Sequence, residues 1–225
     1  MAIGTDEDAR FDYVVVGAGT AGCLLADRLS ATGASVCVLE AGGRDWSPLI
    51  HLPVGYVWNV HSRRLTWDYA VEPGPVVNRR FRLPQGKVLG GSSSINGLSH
   101  VRGQRQDYDD WAAAGNPGWS YLEILPYFMR SERKIGVGDD RFRGRSGSLH
   151  ITDQDWSHPI CDAFVNGLSE LGIPLTEDYN GMVHTGGGYL QRAIHKGRRC
   201  SSARAFLKPA MQRPNVEVRT RAHVS

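Results

Sequence analysis

The chain has 225 residues, of which 27 are glycine and 11 proline, with 41% hydrophobic and 22% charged residues; these proportions are ordinary for a loop-rich globular α/β protein. A length in this range holds one domain or two small ones. The formal net charge of +3 is too small for a nucleic-acid footprint, and the pairs Arg63-Arg64, Arg79-Arg80 and Arg198-Arg199 read as solvated loop charges.

The first predicted element is Phe11–Val16, an apolar, β-branched run that reads as a strand buried on both faces of a parallel sheet. It ends at Gly17, which opens the loop Gly17-Ala18-Gly19-Thr20-Ala21-Gly22. From Thr20 to Ser30 the residues Ala21, Leu24, Leu25 and Leu29 recur at helical spacing; Gly33 stops that helix and Ser35–Leu39 makes a second strand closing on Glu40. This is a strand–helix–strand unit of about thirty residues, the context that a dinucleotide fingerprint requires. Gly17 permits the tight turn, Gly19 lets the backbone approach a pyrophosphate, and Gly22 lets helix and strand pack closely. The phosphates would sit on the free N–H groups at the helix N-terminus. Glu40 can accept a hydrogen bond from a ribose hydroxyl and would repel a 2′-phosphate. NAD and FAD both remain possible on this unit alone.

After Glu40 the chain reads as a long irregular stretch from Ala41 to Leu83, broken by Pro48, Pro53, Pro73 and Pro75. A nicotinamide domain would place its next helix and strand here, so the excursion favours FAD, a larger ligand that needs more chain to cover it. Trp58, Trp67 and Tyr69 supply aromatic bodies, of which core packing is the expected use. A second glycine-rich loop follows, Gly86-Lys87-Val88-Leu89-Gly90-Gly91-Ser92-Ser93-Ser94-Ile95-Asn96-Gly97. Its serines lie near no candidate base and read as small hydroxyls in a tight turn.

Gly86 to Gly97 followed by Val101-Arg102-Gly103 resembles the first signature of the glucose–methanol–choline family of FAD-dependent oxidoreductases. Leu39-Glu40-Ala41-Gly42-Gly43, Asp107 to Trp111, Gly118-Trp119-Ser120, and Ser201 to Leu207 before Arg213-Pro214-Asn215 extend the match over nearly the whole chain. The text looks most like bacterial alcohol and choline dehydrogenases. The resemblance implies an α/β fold: a Rossmann-like FAD-binding domain with the beginning of an inserted α+β substrate-binding domain, incomplete here. The expected boundaries are 1–142 for the first part of the FAD domain, 143–195 for the start of the substrate domain, and 196–225 for the return.

The cofactor-binding residues implied are Gly17, Gly19, Thr20, Ala21, Gly22, Glu40, Ala41, Trp67, Gly86, Val88, Gly90, Gly91, Ser92, Asn96, Gly97, Leu98 and Val224. Some members anchor flavin through a histidine two residues after a Ser-Ser pair. Ile95 occupies that place and cannot form the bond, so the FAD is expected to be noncovalent. His100 falls where relatives often carry tyrosine and reads as packed or hydrogen-bonded.

The family's proton-accepting histidine near the C-terminus and its second signature are not found here, so the chain is expected to be the N-terminal portion of a larger enzyme, with no catalytic residue of its own. The full enzyme would oxidise a small alcohol, primary aliphatic or choline-like, and pass electrons to a quinone, another carrier or oxygen. Two other readings stay open: a non-catalytic flavin-binding protein, or a non-redox enzyme on this scaffold such as a hydroxynitrile lyase.

Beyond Arg143, Ser148–Thr152 reads as a strand, Pro159–Leu171 as a helix, Tyr189–Ile194 as a strand and Gly186-Gly187-Gly188 as a flexible turn. No two of the eight histidines share a metal-ligand spacing, and no metal site is expected. The four cysteines show no pairing pattern, which suits a reducing compartment. Met1–Arg10 is acidic without an apolar core and does not read as a secretory signal. No run approaches the ~18 apolar residues of a spanning helix. The expectation is a cytoplasmic protein, with peripheral association at the inner face of the membrane left open because relatives feed quinones.

Overall fold

The computed structural model describes residues 9–76 and 78–225; most of the acidic N-terminal stretch, through residue 8, lies outside the described residues. The chain begins with β1 (Tyr13–Val16), α1 (Thr20–Ser30) and β2 (Val36–Glu40), within a residue or two of the apolar pattern's bounds. Gly33, at φ +94°, takes the left-handed conformation that turns the chain after α1.

The stretch expected to be irregular is in part regular. It carries the short helices α2 (Pro48–His51) and α3 (Tyr56–Asn59), and then β3 (Thr66–Val71) pairs antiparallel with β4 (Phe81–Gly86). Pro84 lies within β4, tolerated because the two-stranded sheet leaves each strand an outer edge. Trp58 and Tyr69 are about half exposed and so do not serve the core as expected.

Next come α4 (Arg105–Ala113) and α5 (Tyr121–Ser131), each opened by a capping box, Gln104 with Asp107 and Ser120 with Glu123. Then follow β5 (Glu132–Ile135), β6 (Leu149–Thr152), α6 (Pro159–Glu170) and the two-residue pair β7 (Ile194–His195) and β8 (Arg198–Arg199). The expected strand Tyr189–Ile194 is replaced by isolated bridges from Arg192 to Ser99 and Thr152. In the triplet Gly186–Gly188, Gly187 N–H donates to the Pro174 carbonyl, and a Cβ at Gly188 would lie 2.0 Å from the Thr176 oxygen. A π-helical turn (Ala203–Leu207), α7 (Lys208–Ala210) and β9 (Val216–Thr220) end the chain.

By packing, the chain forms two compact units. One comprises the described residues through Asn96 together with Ser201–Ser225, and the other Gly97–Cys200. The units divide at 96/97 and 200/201, with α4, α5 and β5 packing with β6 and the segment 178–192 in the second.

In the first unit the sheet is parallel with order β1-β2-β9. β2 is central and buried, while β1 is an edge strand with Val15 buried and Val14 and Val16 56% and 66% exposed. The expected burial of β1 on both faces is therefore not met: α1 covers the Val15 face and no described residue of this unit covers the other. Ala203, Ala205, Phe206 and Leu207 are buried where the π-helical turn meets α1. Arg213 fixes the end of α1, donating to Asp27 O (3.1 Å), Ser30 Oγ (2.8 Å) and Asp27 Oδ1 (3.0 Å).

In the second unit, Tyr121, Leu125 and Phe142 form an apolar cluster flanked by Tyr108 and Met129. Beside it Glu132, 1% exposed, accepts from Arg102 Nη2 (2.7 Å), Arg143 Nε (2.8 Å) and the Gly144 N–H (2.9 Å). His100 Nε2 lies 3.5 Å from Glu132 Oε2, which fits the packed, hydrogen-bonded role expected of it. Burial pushes the Glu132 carboxyl up, but hydrogen bonds from His100 and Arg143 and the charges of Arg102 and Arg143 outweigh it and hold it at about 2.

Candidate functional site

The two glycine loops meet in the first unit. Gly17, at φ +89°, makes the turn out of β1, and its N–H donates to the Leu39 carbonyl at 2.7 Å. A Cβ at Gly22 would lie 1.9 Å from the Gly17 oxygen and 3.3 Å from Val15 Cγ1, so only glycine allows α1 this close to the strand. Gly19 is the N-cap of α1; no side chain caps the helix there, and space around a Cβ at this position is open to 4 Å. Thr20 and Ala21 follow in the first turn, at the positive end of the helix dipole.

The second loop lies directly against the first. Gly90 N–H donates to the Ala18 carbonyl at 2.7 Å, and a Cβ at Gly91 would come within 2.8 Å of Gly19 Cα. Gly90 and Gly91 both hold positive φ, +91° and +54°. Gly86 approaches Gly91 so closely that a Cβ would meet its carbonyl carbon at 2.2 Å. Ser92 Oγ accepts from the Gly86 N–H and donates to Gln85 Oε1, both at 3.0 Å; Ser94 Oγ donates to the Leu89 carbonyl at 2.7 Å. The Asn96 N–H donates to the Ser92 carbonyl at 2.9 Å. The serine hydroxyls thus shape the turn, as their spacing suggested. Ile95 is buried against Ile50 and Val88, with Leu65 alongside.

Glu40 ties these parts together. It is buried, with Oε2 accepting from the Ala18 N–H (2.8 Å) and Oε1 from the Gly42 N–H (2.7 Å). Its backbone carbonyl accepts from Ala222, and Gly42 O accepts from Arg221, so the chain after β9 runs beside the end of β2. Trp67 lies between Tyr69, stacked at 5.9 Å, and His223 at 5.5 Å, with Lys87 Nζ 4.1 Å over its ring. Val224 follows His223, beyond the strand's end at Thr220.

A cavity of about 1180 Å³ opens beside this region, lined in part by Ala41, Val88 and Thr220. Arg44, Arg63, Arg64, Lys87 and Arg221 also line it, with no carboxylate among the lining residues. Arg63 and Arg64 are exposed as expected of loop charges, yet they contribute to this cavity. The cationic character could not be read from the sequence, because its members come from four separated segments. Of the expected binding residues, those from Gly17 to Asn96 and Val224 belong to the first unit, whereas Gly97 and Leu98 belong to the second. Leu98 is buried with φ +66°, a conformation few non-glycine residues adopt.

Cys23 is buried in α1, and burial pushes its thiol up to about 12. All four cysteines are free, and only Cys161 is exposed. Among the described residues no three His, Cys, Asp or Glu side chains converge as metal ligands, and no helix is long and apolar enough to cross a membrane.

Comparison with known proteins agrees with this geometry. The family model described as GMC oxidoreductase matches residues 11–225. An oxygen-dependent choline dehydrogenase of Sinorhizobium medicae is 45% identical over 209 residues, 92% of this chain and 38% of that protein. Among solved structures, pyridoxine 4-oxidase from Mesorbium loti superposes with a TM-score of 0.88 at 32% identity, covering 94% of this chain and 42% of that one. An FAD-dependent oxidoreductase from Chaetomium thermophilum superposes at 0.83 with 29% identity, over 93% of this chain and 38% of that one. This chain therefore spans well under half the length of these relatives. With its two glycine loops joined and the match running from Phe11 to its last residue, the chain belongs to the GMC oxidoreductase family of FAD-dependent flavoproteins.

Proposed function

We propose that the protein carrying this chain oxidises a small alcohol, primary aliphatic or choline-like, to the aldehyde, with FAD held noncovalently along the two glycine loops. The observation that carries this reading is the meeting of the loops at Gly19, where Gly91 packs on its Cα, no described residue lies within 4 Å of where a Cβ would stand, and no side chain caps α1. That arrangement fits a pyrophosphate: free backbone donors, a favourable dipole and no Cβ in the way. When bound, FAD supplies the hydride acceptor, and its electronic chemistry is its own.

The chain's residues bind and orient. Gly17, Gly19, Thr20, Ala21 and Gly22 give the α1 terminus to the phosphates, with Gly86, Gly90, Gly91, Ser92 and Asn96 along the second side. Glu40 already accepts one hydrogen bond on each oxygen, which leaves each a lone pair for a ribose hydroxyl. Ala41, Trp67, Val88 and Val224 are assigned to the adenosine end, and Gly97 and Leu98 to the flavin. Ile95, sealed in an apolar cluster, has neither the chemistry nor the exposure for a covalent link.

We assign cofactor binding to the first unit, apart from Gly97 and Leu98 at the start of the second, and read the rest of the second as the beginning of the substrate-binding region. None of the chain's residues is assigned to proton removal, which in the resembled enzymes falls to a histidine near the C-terminus; such a base lowers the barrier to hydride loss. The named oxygen dependence of the choline dehydrogenase relative supports oxygen as the electron acceptor. The test is anaerobic mixing of the full-length protein with choline and with primary alcohols. Bleaching of the yellow flavin by either supports the assignment; flavin that stays oxidised with every alcohol overturns it and favours a non-redox enzyme.

A further inference from the structure

In the first unit, the stretch from Trp46 to Leu65 contains no acidic residue. Its backbone is well anchored. Ile50 is buried against Val88 and Ile95, Asn59 Nδ2 donates to the Leu49 carbonyl at 2.9 Å, and a Cβ at Gly55 would lie 1.8 Å from the Leu49 oxygen. Yet Trp46, Leu49, Leu52, Val54, Val57 and Trp58 are between 40% and 78% exposed. Single exposed apolar residues are ordinary, but a run of this density on an anchored backbone marks a contact surface.

The same surface is cationic. Trp46, Leu49 and Trp58 line the cavity of about 1180 Å³ together with Arg44, Arg64, Lys87 and Arg221. None of these four cations has a carboxylate partner among the described residues. Arg63 pairs with Asp68 at 3.5 Å, and Asp45, just before the stretch, is buried and held by Lys208 at 2.8 Å. A protein partner would have to bring a carboxylate to each cation. A bilayer supplies negative charge at any spacing, takes indole rings at headgroup depth and receives apolar side chains beneath them. No helix among the described residues is long and apolar enough to cross a membrane, so such a contact is peripheral.

We propose that residues 46–58, with Arg44 and Arg64, dock the protein on the surface of a bilayer carrying anionic phospholipid. Trp46 and Trp58 enter the headgroup layer with the exposed leucines and valines, and the two arginines meet lipid phosphates. None of these residues is assigned to the flavin, so the proposal stands apart from the alcohol-oxidising reading.

The experiment is co-sedimentation of the full-length protein with vesicles. Binding is expected to phosphatidylcholine mixed with phosphatidylglycerol, to be weak on phosphatidylcholine alone, and to fall as salt rises. Arg44→Gln with Arg64→Gln should weaken it at least about tenfold, and Trp46→Ser with Trp58→Ser by a similar factor, each at wild-type Tm. Bromine-labelled acyl chains should quench tryptophan emission in the wild type. Trp46→Phe with Trp58→Phe, which keeps the apolar surface, should still bind but lose that quenching. Failure to bind anionic vesicles, equal binding to both kinds of vesicle, binding unchanged in the arginine or serine pair, or quenching that persists in the phenylalanine pair overturns the proposal. A protein contact over Trp46 and Trp58 that excludes vesicles does so as well.

Discussion

Gly19→Val and Gly22→Ala should fail in opposite ways, although the two glycines lie in one loop. At Gly22 an added Cβ would sit 1.9 Å from the Gly17 oxygen and 3.1 Å from its carbonyl carbon. Both are backbone atoms, so the helix or the strand must move. The expected cost is ~3 kcal/mol, the upper end of ordinary overpacking. At Gly19 nothing stands within 4 Å of a Cβ, and the backbone is extended at φ −75°, ψ −164°, a conformation valine accepts. Exchanging glycine for an apolar residue at an N-cap costs roughly 1 kcal/mol or less. The space that valine would fill is, on this account, the pyrophosphate's. FAD affinity should fall at least about a hundredfold, or ~2.8 kcal/mol at 1.4 kcal/mol per tenfold. Urea denaturation of the flavin-free full-length protein reads the first effect, and quenching of flavin fluorescence on titration reads the second. Wild-type FAD affinity in Gly19→Val would refute the placement of the pyrophosphate. Unchanged stability in Gly22→Ala would refute the helix–strand contact.

Three further outcomes are expected. Glu132 has a folded-state pKa of about 2, below its ordinary 4.5, so the stability it contributes is present above about pH 4.5 and is lost as pH falls towards 2; the shift corresponds to about 3 kcal/mol. Glu132→Gln should remove this acid-dependent loss and, by leaving Arg102 without its carboxylate and Arg143 with Asp178 alone, cost ~3 kcal/mol at neutral pH; stability against pH by chemical denaturation checks both. A thiol reagent applied to the native protein should label Cys161 and spare Cys23, Cys37 and Cys200, read by peptide mapping; rapid labelling of Cys23 would contradict its burial. Acid precipitation should release all flavin into the supernatant, and a yellow pellet would contradict the reading of Ile95.

The segments with a strong local signal were legible. β1, α1 and β2 follow from one apolar run, one helical period and two glycines, and their register is set by neighbours in sequence. The second loop was visible as composition, and its docking on the first follows from glycines that only close approach requires, Gly86 and Gly91 above all. The pairing of β3 with β4 was hidden because prolines at 73, 75 and 84 imitate a loop, while an edge strand tolerates one of them. The openness of β1 could not be read from a run of valines, since burial depends on what covers the far face. The Glu132 network joins His100, Arg102 and Arg143, and through Arg143 reaches Asp178 and Gln191. No local pattern announces such a set, because its members lie far apart in sequence. The cationic cavity was illegible for the same reason.

The most direct test of the central claim, that the joined glycine loops hold FAD without a covalent bond, is the flavin content of the full-length protein after extensive desalting, read by absorbance and by mass after denaturation. The account predicts close to one FAD per chain, fully released on unfolding, and near none for Gly19→Val. A wild-type protein without flavin, able neither to retain nor to rebind added FAD, would contradict it.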